Sequence, residues 1–282
     1  DSSPVALDPV FDPKYPPSMH AFKIPSAGVD LNALLYRASG AERRPVVVVF
    51  HGYPGNEKNL DLAQAIRRAG LHVLWFNYRG SWGTGGEFSF ANALEDARNV
   101  LAFVRSPEAA ERFGFDASRI AVVGHSFGGW LAFNVGAEDQ NVRAVAGLAS
   151  WNAVVSVRAT GGDPEKKAAL IAALDEFGPV SGPLRGAGSA RIYDEVLENA
   201  VAYDFFRKAE RLKTRPLLVI AGSRDVDQPL DAYHDPLVVA LQDAQAPRVE
   251  VQVYDDDHSF SASRLALADR VTRWLVREIG QP

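Results

Sequence analysis

A doubly wound α/β fold with a mostly parallel sheet is predicted by three features of this 282-residue sequence. Short Val/Ile/Leu-rich runs alternate with longer amphipathic stretches from residue 45 onward, the runs are apolar at nearly every position, and two alternating segments joined by Pro25-Ser26-Ala27-Gly28 precede them. Continuously apolar runs belong to strands covered on both faces, which requires helices on both sides of the sheet. The length suits one enzyme-sized domain of that kind.

Taken in order, residues 1–18 hold prolines at 4, 9, 13, 16 and 17 and read as an extended arm, so the body spans 19–282. His20–Ile24 and Val29–Tyr36 alternate as an antiparallel hairpin at a sheet edge does. Strands are expected at 45–50, 71–77, 119–123, 142–149, 216–221 and 248–254, and helices at 57–69, 91–105, 126–137, 230–244 and 259–278. Between Ser150 and Pro216 lie about 65 residues, too many for one crossover helix. They contain helix-like pieces at 164–177, 189–200 and 203–211, the first opened by Asp163-Pro164 and the second by Ser189, so an inserted helical cap is expected at about 151–215.

Composition narrows the function. The 30 Lys+Arg against 35 Asp+Glu give a net charge of −5, with basic residues only in scattered pairs such as Arg43-Arg44 and Arg67-Arg68, so neither a nucleic-acid groove nor an anionic-membrane patch is expected. Zero cysteines exclude disulfides, thiolate metal sites and cysteine nucleophiles. No stretch approaches the roughly 20 apolar residues of a membrane-spanning helix. H-E-x-x-H, G-x-G-x-x-G and the P-loop pattern are all missing, so no metal and no nucleotide cofactor is expected. Asp255-Asp256-Asp257 reads as a solvated acidic loop, with a calcium site as the alternative. The start Asp1-Ser2-Ser3-Pro4, with no initiator Met and no charged segment leading into an apolar one, is expected of a mature secreted or periplasmic protein, a trimmed cytoplasmic one being the alternative.

The strongest local signal is Gly124-His125-Ser126-Phe127-Gly128, which follows the strand 119–123 and opens the helix 126–137. A strand that turns at once into a helix forces Ser126 into a strained backbone conformation, and glycines two before and two after let the neighbouring chains approach. This is the G-x-S-x-G nucleophile elbow in its required context. A serine hydroxyl is a poor nucleophile until a base takes its proton, so the elbow calls for a later carboxylate and then a histidine. His258 lies just past the last strand and is the expected base, with His234 the alternative inside or beside a helix. Asp225, three residues beyond Gly222 at a strand's C-terminal end, is the expected acid, with Asp227 the alternative. Its work is to bind the Nδ1 hydrogen of His258 and stabilise the imidazolium. Oxyanion donors are expected at the N–H of Phe127, directly after the nucleophile, and of Tyr53, in the loop His51-Gly52-Tyr53-Pro54-Gly55, a purely structural turn being the alternative for that loop.

These residues, together with Asn77-Tyr78-Arg79-Gly80, Gly222-Ser223-Arg224-Asp225 and Asp257-His258, make the chain resemble the α/β-hydrolase superfamily from about residue 20 to 280. It looks most like small serine esterases and the catalytic domains of acyl-peptidases, the latter through Tyr78–Gly86. The resemblance implies the same roles for Ser126, Asp225, His258, Tyr53 and Phe127. About 18 residues of arm and a hairpin cannot supply the propeller of prolyl-oligopeptidase-type enzymes, which places esters ahead of peptides.

The expectation is therefore a cofactor-independent serine hydrolase of carboxylic esters, a monomer or small homo-oligomer acting on a small acyl ester or short peptide. A peptidase or amidase with the same machinery, and a ligand-binding shell without turnover, are the alternatives. Trp82, Phe88, Phe90 and Trp151 are candidates for the substrate pocket or for packing the cap onto the body. Trp130 is expected in the core, and Arg79 is expected to brace the oxyanion loop.

Overall fold

The computed structural model describes residues 3–40, 43–178 and 182–280. Its strands are β1 (Ser18–Ser26), β2 (Val29–Arg37), β3 (Arg44–Phe50), β4 (His72–Phe76), β5 (Phe115–His125), β6 (Val142–Leu148), β7 (Leu217–Gly222) and β8 (Val249–Tyr254). They form one sheet in the order β1-β2-β4-β3-β5-β6-β7-β8. β1 pairs antiparallel with β2 and β2 with β4, whereas every pairing from β4 to β8 is parallel. This is the α/β-hydrolase fold.

The continuous valines of β3 show why both faces are covered. Val46, Val48 and Phe50 pack into one apolar layer with Phe76, Phe127 and Trp130, while Val47 and Val49 point into the other with Ile66, Leu267 and Trp274. The helices that close the first layer include α2 (Phe90–Arg105), α3 (Pro107–Phe113) and α4 (Phe127–Glu138). α1 (Leu60–Arg68) lies on the second layer, joined there by the final helix of the chain.

The hairpin turn uses Ala27 at φ 46 and Gly28 at φ 80, the left-handed pair that a two-residue loop needs to match strand twist. Ala27 is exposed and occupies a conformation disfavoured for residues with a Cβ. Ala27→Asn, with a side chain suited to that region, is expected to raise stability by about 0.5–1 kcal/mol, read as a higher urea midpoint. An unchanged or lower midpoint contradicts this.

From β6 to β7 the chain runs through α5 (Ala153–Ala159), α6 (Pro164–Phe177), α7 (Ser189–Glu198), α8 (Ala200–Tyr203), a 3-10 turn at Phe205–Lys208 and α9 (Ala209–Leu212). Glu195 of α7 fastens this segment to the body. Its carboxylate accepts from the first amides of α2, Ala91 at 2.7 Å and Phe90 at 3.2 Å, and from the Tyr203 hydroxyl at 2.9 Å. A negative charge at that helix end also meets the positive pole of the helix dipole.

Several boundaries differ from the sequence expectations. α3 and α5 are additional helices of a turn or two, too brief for periodicity to register. α1 starts at Leu60 instead of residue 57 because Asn59 is left-handed at φ 54. The segment expected as one helix over 230–244 is a π-turn at Leu230–His234 followed by α10 (Asp235–Asp243), since Pro236 has no N–H to continue the ladder. The final helix, α11, spans Arg264–Ile279 rather than beginning at 259, because the residues ahead of it are held in a loop with Phe260 at φ 56.

Among the described residues no strand precedes Ser18, and the N-terminal segment lies against the body. Ser3 Oγ donates to Asp269 at 2.8 Å, Arg68 Nε to the Pro4 carbonyl at 2.6 Å, and Ser39 Oγ to the Val10 carbonyl at 2.8 Å.

Candidate active site

Ser126 joins β5 to α4 with φ 57 and ψ −119, a left-handed-side conformation for a residue with a side chain. Its strain is held by backbone bonds. Ser126 N donates to Leu148 O at 2.9 Å, and the amides of Gly129, Trp130 and Trp151 converge on Ser126 O at 2.9, 3.2 and 3.0 Å. The neighbouring glycines leave no room for a Cβ. One on Gly124 would sit 1.8 Å from Gly128 O, one on Gly128 2.1 Å from Phe50 O, and one on Gly129 2.2 Å from Ser150 Oγ. Since the clashing partners of Gly124 and Gly128 are backbone, they cannot rotate away. Gly124→Ala is expected to cost about 3 kcal/mol, seen as a lowered denaturant midpoint, and wild-type stability would show that the turn is looser than described.

Asp225 lies buried beyond β7, and both of its oxygens are hydrogen-bonded. Oδ1 accepts the amides of Asp227 and Gln228, both at 2.9 Å, and Oδ2 is 2.7 Å from His258 Nδ1. Burial alone would raise the pKa of this carboxyl, but the hydrogen bond and charge of His258 and the two amides outweigh it and hold the pKa below the ordinary carboxylate range.

His258 is carried by the loop after β8, which the acidic run shapes. Asp256 Oδ1 accepts the amides of Asp257 at 2.9 Å and Ala262 at 3.2 Å, while Asp257 Oδ1 accepts those of Ser259 and Ser261, both at 3.0 Å. Asp255 pairs with Arg224 at 3.0 Å. These carboxylates are thus engaged in folding the loop. Gly222 is its close neighbour, since a Cβ there would lie 2.5 Å from Asp256 O.

A further clasp comes from His125, the residue before Ser126. Its Nε2–H donates to the His258 carbonyl at 2.8 Å, and the two rings are 4.7 Å apart. Burial, then the neighbouring His258, lowers its pKa to about 3, so it is neutral.

Ser126 and His258 line one cavity of about 480 Å³. Among the described residues no direct hydrogen bond joins the Ser126 hydroxyl to the His258 ring. Asp227 lies on the same wall, exposed, while His234 bonds Asp235 at 2.8 Å and does not line this cavity. Asp225, Asp227 and His258 present ligand-type atoms within 4.8 Å of one another, Asp225 being joined to His258 by a hydrogen bond and to the amide of Asp227 by another.

The loop after β3 passes directly over Ser126, where a Cβ on Gly52 would be 3.3 Å from Ser126 Cβ. It is tied down by the Tyr78 hydroxyl donating to His51 O and by Trp82 Nε1 donating to Pro54 O, both at 2.7 Å. Tyr53 reaches the helical segment, its hydroxyl donating to Leu174 O at 3.0 Å, and burial pushes its phenol up to about 12. The Phe127 amide, at the first position of α4, has no acceptor within its own helix.

Of the aromatic candidates, Trp151 lines the cavity. Trp82 braces the Tyr53 loop with Lys58 Nζ 4.0 Å above its ring, and Phe88 is buried against Tyr53, Tyr78 and Phe127, so neither forms cavity wall. Phe90 is likewise in the core beside Trp130. Arg79 donates from Nε to Asp96 Oδ1 at 2.7 Å and from its amide to Asp96 Oδ2 at 2.8 Å, bracing the loop after β4. Wall residues that sequence reasoning missed include Ser156, Leu170, Leu174, Gln228 and Tyr233. They lie in helices and turns with no motif, and the expected cap insertion hinted at Ser156, Leu170 and Leu174 alone, since Gln228 and Tyr233 follow β7.

The BD-FAE family model matches residues 34–181. Two curated relatives from Escherichia coli, both described as an uncharacterized 31.7 kDa protein in the traX-finO intergenic region, are 31% identical over 119 residues, and the match covers 40% of this chain and 40% of theirs. Among solved structures, Est1E from Butyrivibrio proteoclasticus with ferulic acid bound is 18% identical with a TM-score of 0.66, covering 93% of this chain and 100% of that one. The Pyrococcus horikoshii acylaminoacyl peptidase is 18% identical with a TM-score of 0.70, covering 94% of this chain and 42% of that one. A Pyrococcus furiosus esterase is 17% identical with a TM-score of 0.67, covering 97% and 100%. At these identities the structural likeness is one of fold.

Proposed function

The chain belongs to the BD-FAE family, among the serine hydrolases of the α/β-hydrolase superfamily, and from that premise we propose that it cleaves carboxylic esters through an acyl-enzyme carried by Ser126, His258 and Asp225. The observation that carries the proposal is the 2.7 Å bond from His258 Nδ1 to a buried Asp225, with the other face of the site open to a strained Ser126 on the same cavity. With Nδ1–H committed to Asp225, Nε2 is left as the basic nitrogen.

In the proposed reaction His258 Nε2 takes the Ser126 proton as Oγ attacks the acyl carbon. The carbonyl oxygen becomes an oxyanion facing the amides of Phe127 and Tyr53, and Asp225 stabilises the imidazolium. Collapse passes the proton to the leaving alcohol. Water, deprotonated by the same nitrogen, then releases the acid and restores Ser126. The helices from 151 to 215 act as a cap, with Leu170 and Leu174 supplying apolar wall.

A fluorophosphonate is expected to label the native protein at Ser126, with labelling lost in Ser126→Ala. Turnover of 4-nitrophenyl acyl esters should exceed that of aminoacyl nitroanilides. Faster anilide cleavage makes the protein a peptidase or amidase, and labelling without turnover of either class makes it a receptor.

A further inference from the structure

On the cavity wall the Ser156–Tyr233 pair carries a hydroxyl hydrogen that no described protein group uses. Trp151 Nε1 donates to Ser156 Oγ at 2.9 Å, and Ser156 Oγ and the Tyr233 hydroxyl are 2.8 Å apart. An indole N–H only donates, whereas each hydroxyl brings one hydrogen and two lone pairs. This chain of groups therefore has one more hydrogen than it has bonds. If Ser156 donates to Tyr233, the phenol hydrogen is left over. If Tyr233 donates to Ser156, the serine hydrogen is left over. In neither orientation does another described side chain or backbone carbonyl take it.

Both residues are half-buried and line the cavity that holds Ser126. Burial raises the Tyr233 phenol above its ordinary value, so it keeps its proton through the neutral range. The charged side chains on this wall, Glu57 and Asp227, are acidic, and no Lys or Arg is among its described residues. A carboxylate or phosphate on a substrate would be repelled there. A neutral oxygen is not, and it is what a spare O–H donor recognises.

We infer that Ser156 and Tyr233 form a specificity-determining subsite for a neutral acceptor oxygen, carbonyl, ether or hydroxyl, on the acyl or alcohol part of the substrate. The inference rests on the esterase reading above. Ser156 sits on α5 and Tyr233 on the π-turn after β7, so the subsite spans the helical segment and the body.

The test compares esters differing only by an ether oxygen replacing a methylene. One arm uses 4-nitrophenyl ω-methoxyacyl esters against alkanoyl esters of equal length, and the other uses acetates of methoxyalkanols against those of alkanols. The wild-type ratio of kcat/KM is expected to favour the oxygenated member by about three- to tenfold at one chain length in one arm, which also identifies the side of the ester recognised. Ser156→Ala and Tyr233→Phe each leave one free hydroxyl and should keep part of the preference, while the double variant should bring the ratio close to one. The hemisuccinate, an anionic ester, should be poorer than its methyl ester in the wild type, a readout that needs no variant to fold. Equal ratios throughout both arms, a ratio that survives in the double variant, or a preference for the hemisuccinate overturns the subsite while leaving the esterase reading intact. Failure to turn over any ester overturns that reading and the subsite with it.

Discussion

His258→Ala lowers kcat for 4-nitrophenyl esters by about 10⁴-fold or more, and Asp225→Asn by about 10⁴-fold, if the proposed triad operates. Removing the imidazole leaves the Ser126 hydroxyl with no other imidazole on the cavity wall free to act as its base, since His125 is neutral, buried and hydrogen-bonded elsewhere. The Asp225 change acts differently. An amide presenting its NH₂ at Oδ2 would donate where Nδ1–H now donates, favouring the wrong tautomer. Because the three groups act as one unit, the double variant should be no worse than His258→Ala by more than a small factor. Asp227→Asn is the discriminating control, since that residue bonds Asp225 only through its backbone amide, which the substitution retains. A loss below tenfold for His258→Ala, or a larger loss for Asp227→Asn than for Asp225→Asn, would reassign the roles. Steady-state kinetics with a matched thermal midpoint for each variant decides.

The second large effect is on stability in mild acid. Three buried histidines are held neutral, chiefly by burial, with pKa values lowered to about 4 for His51 and about 3 for His72 and His125. Geometry agrees with neutrality. His72 Nδ1 accepts the Ala38 amide at 3.0 Å and so carries no proton there, and His51 donates from Nδ1 to Gly52 O at 2.9 Å while its Nε2 is buried without a partner. In the unfolded chain each would titrate near 6.5. Below that pH the unfolded state binds protons that the native state does not, so unfolding becomes easier as pH falls and stability rises with pH. Each contributes a slope approaching 1.4 kcal/mol per pH unit, or about 2 kcal/mol between pH 7 and pH 5. Asp225 works outside this window, because its lowered pKa adds stability that is lost only as pH falls below the ordinary carboxylate range. The protein should therefore be less stable to urea at pH 5 than at pH 7, the three histidines together contributing on the order of 5 kcal/mol and Asp96, whose carboxyl pKa burial raises, opposing them. Equal stability at the two values would mean that the three imidazoles are solvated.

Much of the architecture was legible because its determinants are local and periodic. The apolar runs of β3, β5 and β7 can be stable only as strands covered on both sides, and Gly124 and Gly128 mark a turn that no larger residue permits. The proximity of Asp225 and His258 was anticipated from chain order, because the C-terminal ends of neighbouring parallel strands open onto a common edge. What stayed hidden depends on packing between distant segments. Nothing in the sequence around Tyr233 indicates that Pro236 reshapes its helix and that its hydroxyl meets Ser156. Trp82 and Phe88 looked equally apt as pocket walls or as packing, and the distinction is drawn by Pro54 and Tyr53, whose positions follow from the whole loop.

The grip of His125 on the backbone of His258 ties the peptide just before Ser126 to the peptide that bears the imidazole. If Ser126 and His258 react as proposed, that bond helps to fix their mutual placement before a ligand arrives. A centre arranged in advance has little need of remote contacts to align it, so even an acetyl ester, with almost nothing to hold on to, should react with a kcat close to that of longer acyl chains, and chain length should register mainly in KM.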